Sequence, residues 1–243
     1  MSTHWVRCFV PFLLASLGLP TIRAQRIYER GLELMLEDAQ GRRSLLGPGF
    51  NPIPISDGRF LLIRGARMGY GEQASCERAA AKNRVVLYDT ATNHESLLFD
   101  KPLAERRVGH DAACVYETAD LSPSGSILYI VTPCYVTAGC LAVVDLPTGW
   151  VRYVEGAMDV YVIRGGLRGG DLVFMRRLNR KPTRDDPRLD DYAYVHARPD
   201  GSQIAIISNE DLVQVGRNAP APILRAWLRS EHGRIFVQGE WIP

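Results

Sequence analysis

Four stretches of the chain read alike: Leu34-Met-Leu-Glu-Asp-Ala-Gln-Gly41, Val86-Leu-Tyr-Asp-Thr-Ala-Thr-Asn93, Ala142-Val-Val-Asp-Leu-Pro-Thr-Gly149 and Tyr194-Val-His-Ala-Arg-Pro-Asp-Gly201. Each is a strand-like apolar run that ends in a turn on Gly or Asn, and a second strand-like run follows. The turn residues Gly41, Asn93, Gly149 and Gly201 lie 52, 56 and 52 positions apart. A supersecondary unit recurring at a nearly fixed period marks a solenoid, propeller or array, and a unit made only of strands predicts a propeller. Between these outer hairpins lie four further turn-and-strand units. They turn at Ser56-Asp57-Gly58, Ser122-Pro-Ser-Gly125, Gly169-Gly170 and His232-Gly233. Aromatic and branched residues dominate the strands that follow, as half-buried sheet positions favour.

The chain thus alternates outer and inner hairpins, beginning on an outer one and ending on an inner one. Joining each inner pair to the outer pair that follows gives three four-stranded blades. The first outer pair, residues 32–46, and the last inner pair, residues 224–237, are left over. Pairing these two closes the ring and leaves only short, protected edges. The fold class expected is therefore all-β: a small propeller of about four four-stranded blades, closed by pairing of its N- and C-terminal half-blades. A fifth, degenerate blade or an incompletely closed ring is the alternative. No helix longer than about two turns is expected over residues 32–237.

The first 24 residues carry the order of a secretory signal peptide: a short basic start, an apolar stretch from Cys8 to Pro20 and a small residue, Ala24, before Gln25. That apolar stretch of 13 residues, interrupted by two prolines, is shorter than the roughly 20 that span a bilayer. The domain division expected is 1–24 signal peptide and 25–243 a single propeller, in a periplasmic or secreted protein without a transmembrane segment. The 29 basic and 27 acidic residues give a formal charge of +2. With Arg7 and Arg23 removed the chain is neutral, which excludes a global field for steering nucleic acid. A hydrophobic share of 46% is ample for a core.

Residues 32–64, with Asp38-Ala-Gln-Gly41, Leu45, Asn51-Pro52 and Ser56-Asp-Gly58-Arg59-Phe60, resemble the repeat of TolB-like β-propellers. Ser122-Pro-Ser-Gly125 and Arg198-Pro-Asp-Gly201 echo the same turn. The chain has fewer repeats than TolB itself and no room for a separate α/β domain, so the resemblance is at the level of the repeat. It implies a propeller fold and an exported location. It does not imply membership of the Tol–Pal machinery.

In a propeller the short turns within each pair emerge on one face and the longer connections on the other. The long connections are residues 65–83, 100–118, 132–139, 176–190 and 209–221. Loops of this length in a compact domain are usually functional or disordered, and the candidate surface is this face at the mouth of the central channel. It carries Arg67, Tyr70 and Arg78, then Arg106, Arg107, His110 and Asp111, then Tyr135, and finally Arg176, Arg177 and Arg180. Guanidinium forks suit carboxylates and phosphates, and Tyr adds surface of the kind interfaces favour. The neighbouring Asp185-Asp186 and Asp190-Asp191 offer the competing reading of a self-neutralising, solvated loop.

The four cysteines beyond the signal, Cys76, Cys114, Cys134 and Cys140, fall on the same connections. An even count in an exported chain permits disulfides. Of the three connectivities Cys76–Cys114 with Cys134–Cys140 is favoured, and four reduced thiols are the alternative. The spacing of Cys134 and Cys140 is wider than that of zinc knuckles, and no metal site or cofactor is expected. No G-x-S-x-G, H-E-x-x-H or P-loop occurs. The function expected is a non-catalytic binding or scaffold module for a protein or anionic ligand of the cell envelope. The rivals are a hydrolase or lyase acting on an anionic substrate at the channel mouth, and a structural remnant of a larger propeller.

Overall fold

A computed structural model describes residues 25–67, 82–103, 115–135, 138–179, 190–207, 222–237 and 239–243. Among them, three four-stranded antiparallel meanders form the body of a β-propeller. The first is β4 (Phe50–Ser56), β5 (Arg59–Arg64), β6 (Arg84–Asp89) and β7 (His94–Phe99). The second is β8 (Thr118–Leu121), β9 (Ile127–Tyr135), β10 (Ala138–Asp145) and β11 (Val151–Glu155). The third is β12 (Ala157–Val162), β13 (Leu172–Asn179), β14 (Asp190–Ala197) and β15 (Gln203–Ile206). Each joins one inner pair to the following outer pair, as the repeat predicts.

The repeat exists because each outer turn is built the same way. Asp89 accepts hydrogen bonds from the amides of Ala91 and Thr92, Asp145 from Thr148, Asp200 from Ser202, and Asp38 from Gln40 and Arg42. An Asp carboxylate that bonds amides a few residues ahead is a local turn-maker. A residue with positive φ then completes each turn: Gly41, Asn93, Gly149 and Gly201.

Each sheet buries both of its faces, and the two-residue period of a strand sorts them. On β5, Leu61 and Ile63 pack toward the second sheet, while Phe60 and Leu62 pack toward the N-terminal strands. On β9, Leu128 and Ile130 face the first sheet and Tyr129 and Val131 the third. On β13, Leu172 and Phe174 face the second sheet and Val173 faces the C-terminal elements. Fully burying one such side chain contributes about 1.5–3 kcal/mol, so these clusters hold each sheet to its neighbours.

The termini differ from the expected closure. The first outer hairpin, β2 (Glu33–Glu37) and β3 (Arg43–Pro48), gains a strand outside the repeat pattern, β1 (Arg26–Arg30), and forms a separate three-stranded sheet. It packs on β5 and β6 through Ile27 and Leu34. The strand pair expected at residues 224–237 is instead helix α1 (Pro222–Ser230) followed by the hairpin β16 (Ile235–Val237) and β17 (Glu240–Ile242). Nine residues make a helix longer than two turns. Leu224, Trp227 and Leu228 are spaced for one helical stripe, not for strand alternation, and Pro222 occupies the first helical position, where its missing amide costs nothing. Leu224 and Leu228 cover Val173 and Tyr194 of the third sheet. Among the described residues β16 and β17 make no pairing with β1–β3. The hydrogen-bonded neighbour is the third sheet, through the bridge Arg164–Arg234, while Phe236 packs against the cluster between the first two sheets.

The innermost strands β4, β8 and β12 lie side by side at the axis. Asp120 of β8, 2% exposed, reaches across to β12. Its Oδ2 accepts the Val162 amide at 2.7 Å and its Oδ1 accepts Arg164 Nη2 at 2.6 Å. Removing one partner of such a buried pair leaves the other charge uncompensated. Asp120→Ala is therefore expected to lower the unfolding free energy by about 3–5 kcal/mol in urea denaturation. The double change Asp120→Leu with Arg164→Met is expected to recover part of that loss, since a buried pair is replaced by apolar volume. A loss below about 1 kcal/mol for Asp120→Ala would show that this contact does not join the sheets.

Candidate functional site

The long connections emerge where β5, β9 and β13 end, and their stems are tied to one another. Asn83, 1% exposed, donates from Nδ2 to the Ala66 carbonyl at 3.0 Å, and its Oδ1 accepts the Tyr116 amide at 2.8 Å. Tyr116 donates its hydroxyl to the Lys101 carbonyl, and Thr132 donates its own to the Val115 carbonyl, both at 2.8 Å. Five chain segments at one end of the propeller are thereby fixed by buried, satisfied polar groups. The connections at residues 68–81 and 104–114 spring from these neighbouring stems.

At this end Arg67 is the sequence-singled residue that enters a described cluster. Its Nη2 donates to both carboxylate oxygens of Glu29, at 3.0 and 3.1 Å, and its guanidinium lies 4.8 Å from the centre of the Phe50 ring. Glu29 also accepts the Asn51 amide at 2.8 Å, and Asn51 donates from Nδ2 to the Ala119 carbonyl at 2.7 Å. Asn51 holds a φ of 57°, a left-handed conformation that Asn tolerates better than most residues. That conformation places its side chain between β4 and β8.

Across the axis stands Asp159, near the start of β12. Burial pushes its carboxyl up to about 6, opposed by the positive charge of Arg67. Register places Asp159 opposite Met175, and Met175 opposite Tyr194. Tyr161, two residues on, shares its face of the strand. Burial raises the hydroxyl of Tyr161 well above the usual range and that of Tyr194 to about 12, and the nearby Asp159 carboxylate adds to both. The result is an acid and two phenols in a poorly solvated setting, faced by one arginine. Such a group stores a proton and donates hydrogen bonds from its phenols, while the Arg67 guanidinium is already paired with Glu29.

Arg176 does not join this group: its Nη1 donates to Gln203 Oε1 at 2.7 Å. Arg177 lies in β13 and Tyr135 in β9, with their side chains outside the description. Tyr70, Arg78, Arg106, Arg107, His110, Asp111 and Arg180 lie outside the described residues, as do Cys76 and Cys114. Cys134 sits in β9 two positions beyond Thr132, the register partner of Cys140. Cys140 is buried and is not free. Among the described residues no group of three or more His, Cys, Asp and Glu side chains is placed to hold a metal ion. None of the described helices is long and apolar enough to cross a membrane. Glu29, Asn51, Asp159, Tyr161 and Tyr194 escape sequence reading, since each lies in a strand and becomes a neighbour of Arg67 or Asp159 only on folding.

No protein-family model matches the chain, and no curated protein matches it. Solved structures that resemble it include TolB from Acinetobacter baumannii, with a TM-score of 0.45 and 14% identity over 74% of this chain and 38% of that one. The β-propeller domain of the Trilobed protease from Pyrococcus furiosus gives a TM-score of 0.42 and 10% identity over 79% of this chain and 59% of that one. An acylaminoacyl peptidase from Pyrococcus horikoshii gives 0.39 and 12% identity over 73% of this chain and 28% of that one. The chain thus spans less than two thirds of the length of each.

Asp159 sets a pH dependence whose sign follows from its raised carboxyl. The folded chain holds this proton up to about 6, and the unfolded chain releases it near 3.8. The stabilisation it gives is complete below the unfolded value and is lost as pH rises through the folded one. Asp159→Asn should therefore gain stability relative to the parent as pH goes from about 4 to about 7. Urea titrations of both proteins across that range measure the gap. A gap constant with pH would place Asp159 in water.

Proposed function

We propose that this chain is an exported, non-catalytic propeller that binds a protein or an anionic ligand of the cell envelope through its long-connection end. The observation that carries this reading is the set of tied stems around Asn83, which holds the ends of two long connections side by side. Arg67, Tyr70, Arg78, Arg106, Arg107, His110, Asp111, Tyr135, Arg176, Arg177 and Arg180 are the residues proposed to meet the partner, with Arg67 and Asp159 at the channel. Residues 1–24 are proposed as a cleaved signal peptide, which puts the folded chain in the periplasm or outside the cell. Cys76–Cys114 and Cys134–Cys140 are proposed disulfides. The register of β9 against β10 supports the second, and the neighbouring stems support the first. A fixed loop loses less freedom on binding, about 0.5–1.5 kcal/mol for each long side chain held in advance.

A second reading, an enzyme acting on an anionic substrate at the channel mouth, draws on Asp159. A carboxyl held protonated toward neutral pH beside an arginine is the kind of group that general acid catalysis uses. Turnover lost in Asp159→Asn, with partner capture intact, would favour it.

Affinity capture from the envelope fraction tests the binding reading. The tagged parent should retain a partner that the Arg106→Ala, Arg107→Ala variant loses. Non-reducing peptide mapping should join Cys76 to Cys114. Changing both of those cysteines to Ala should weaken capture and leave the β-sheet circular dichroism unchanged. Equal capture by all three proteins would refute the surface, and free thiols at both positions the pairing.

A further inference from the structure

At the opposite, tight-turn end of the propeller, the chain builds a second polar site that is independent of the reading above. A cavity of about 480 Å³ opens where the turn after β12 meets the end of α1, and Arg164, Arg229, His232 and Arg234 line it together with Pro243. Its volume lies within the range of small-molecule sites. Among the charged side chains of its wall, Arg164 is the one with a carboxylate partner among the described residues, the buried Asp120. Arg229 has none among the described residues. Arg234 stacks on Trp241, 4.7 Å from the ring centre, and has none either. The nearest acid in sequence, Glu231, is bound to Arg168 at 3.2 Å.

A cationic cluster at a helix C-terminus often serves only the negative end of the helix dipole. Here three of the last four carbonyls are already occupied. Trp227 accepts the Glu231 amide and the Ser230 hydroxyl, Leu228 accepts the Gly233 amide, and Arg229 accepts the His232 amide. The last two bonds form a Schellman cap, whose left-handed position is usually glycine. In this chain His232 occupies it at a φ of 54°, and glycine comes one residue later. The helix thus ends on a histidine in the left-handed backbone conformation, where glycine would cost less, and this residue lines the cavity. The opposing wall is rigid. A Cβ on Gly166 would lie 2.4 Å from the Glu231 carbonyl oxygen, so the two turns are pressed together.

We infer that this cavity is a binding site for a small organic anion carrying a phosphate or carboxylate group. Arg229 and Arg234 supply the charge-assisted hydrogen bonds and His232 a further donor. Guanidinium forks match both groups, and the cavity exceeds the size of a bare phosphate.

Calorimetric titration of the purified chain with inorganic phosphate, glycerol 3-phosphate and citrate at low salt tests the inference. One saturable site is expected, weakening as salt is added. Preference for glycerol 3-phosphate over citrate identifies a phosphate ligand, and the reverse a carboxylate. Arg229→Gln should weaken binding about ten-fold, the equivalent of roughly 1.4 kcal/mol. Arg225→Gln, on the same helix but off the cavity wall, should leave it unchanged. His232→Asn, which keeps a residue tolerant of positive φ, should weaken binding without lowering the melting temperature of the free chain. Absence of saturable heat with all three anions overturns the inference, as does equal affinity of the parent and Arg229→Gln. Arg229 is exposed and makes no side-chain bond among the described residues, so an unchanged melting temperature of Arg229→Gln separates lost binding from unfolding.

Discussion

The propeller depends on a carboxylate at its axis. Asp120 is removed from water, and burial pushes its carboxyl up while the Arg164 guanidinium and the amides of Val162 and Leu121 pull it down. Those partners lie on both β8 and β12, so the group cannot be satisfied unless the second and third sheets stand in one relative position. Apolar packing between sheets tolerates sliding. A buried carboxylate with fixed donors does not. Arg164 then passes the constraint outward, because its backbone bridges to Arg234 and so fixes the C-terminal hairpin.

From that constraint the two ends of the axis acquire different chemistry. Each inner strand runs from the long-connection end toward the tight-turn end. Residues at its start, such as Asp159, therefore lie at the long-connection end, and residues just after its end, such as Arg164, lie at the turns. The long-connection end holds Asp159 and two phenols beside the Arg67–Glu29 pair. The other end holds cations with few acids. One strand of six residues, β12, separates these opposite environments.

The fold was legible where local chemistry repeats. The Asp-led turns ending in Gly or Asn appear in the sequence because each is made by residues a few positions apart. The alternating runs are visible because both faces of each four-stranded sheet are apolar, and three blades follow from counting them. Leu224, Trp227 and Leu228 were misread because a short apolar run fits either period, and what makes it a helix is the exposed flank of the third sheet that it covers. β1 was missed because Arg26–Arg30 has one strongly buried residue, Ile27, and no alternation to show. Arg67 could be singled out as a cation on a long connection. Asp159 could not, since its acidity comes from strands distant in sequence.

The stacked order of the sheets also grades how firmly each part is held. The second sheet has a packed neighbour on both faces and shares the Asp120 bond, whereas the β1–β3 sheet rests on one neighbour, and β17 is a three-residue strand at the margin. Opening from either margin uncovers one apolar face, while opening the middle uncovers two and strands a charge. Amide protons of Leu128, Ile130 and Leu141 thus exchange with solvent through global unfolding alone, and those of β1 and β17 through partial opening. Under partial denaturation the chain sheds its ends before its centre, so the Arg229–Arg234 wall of the cavity leaves early while its Arg164 wall stays with the centre.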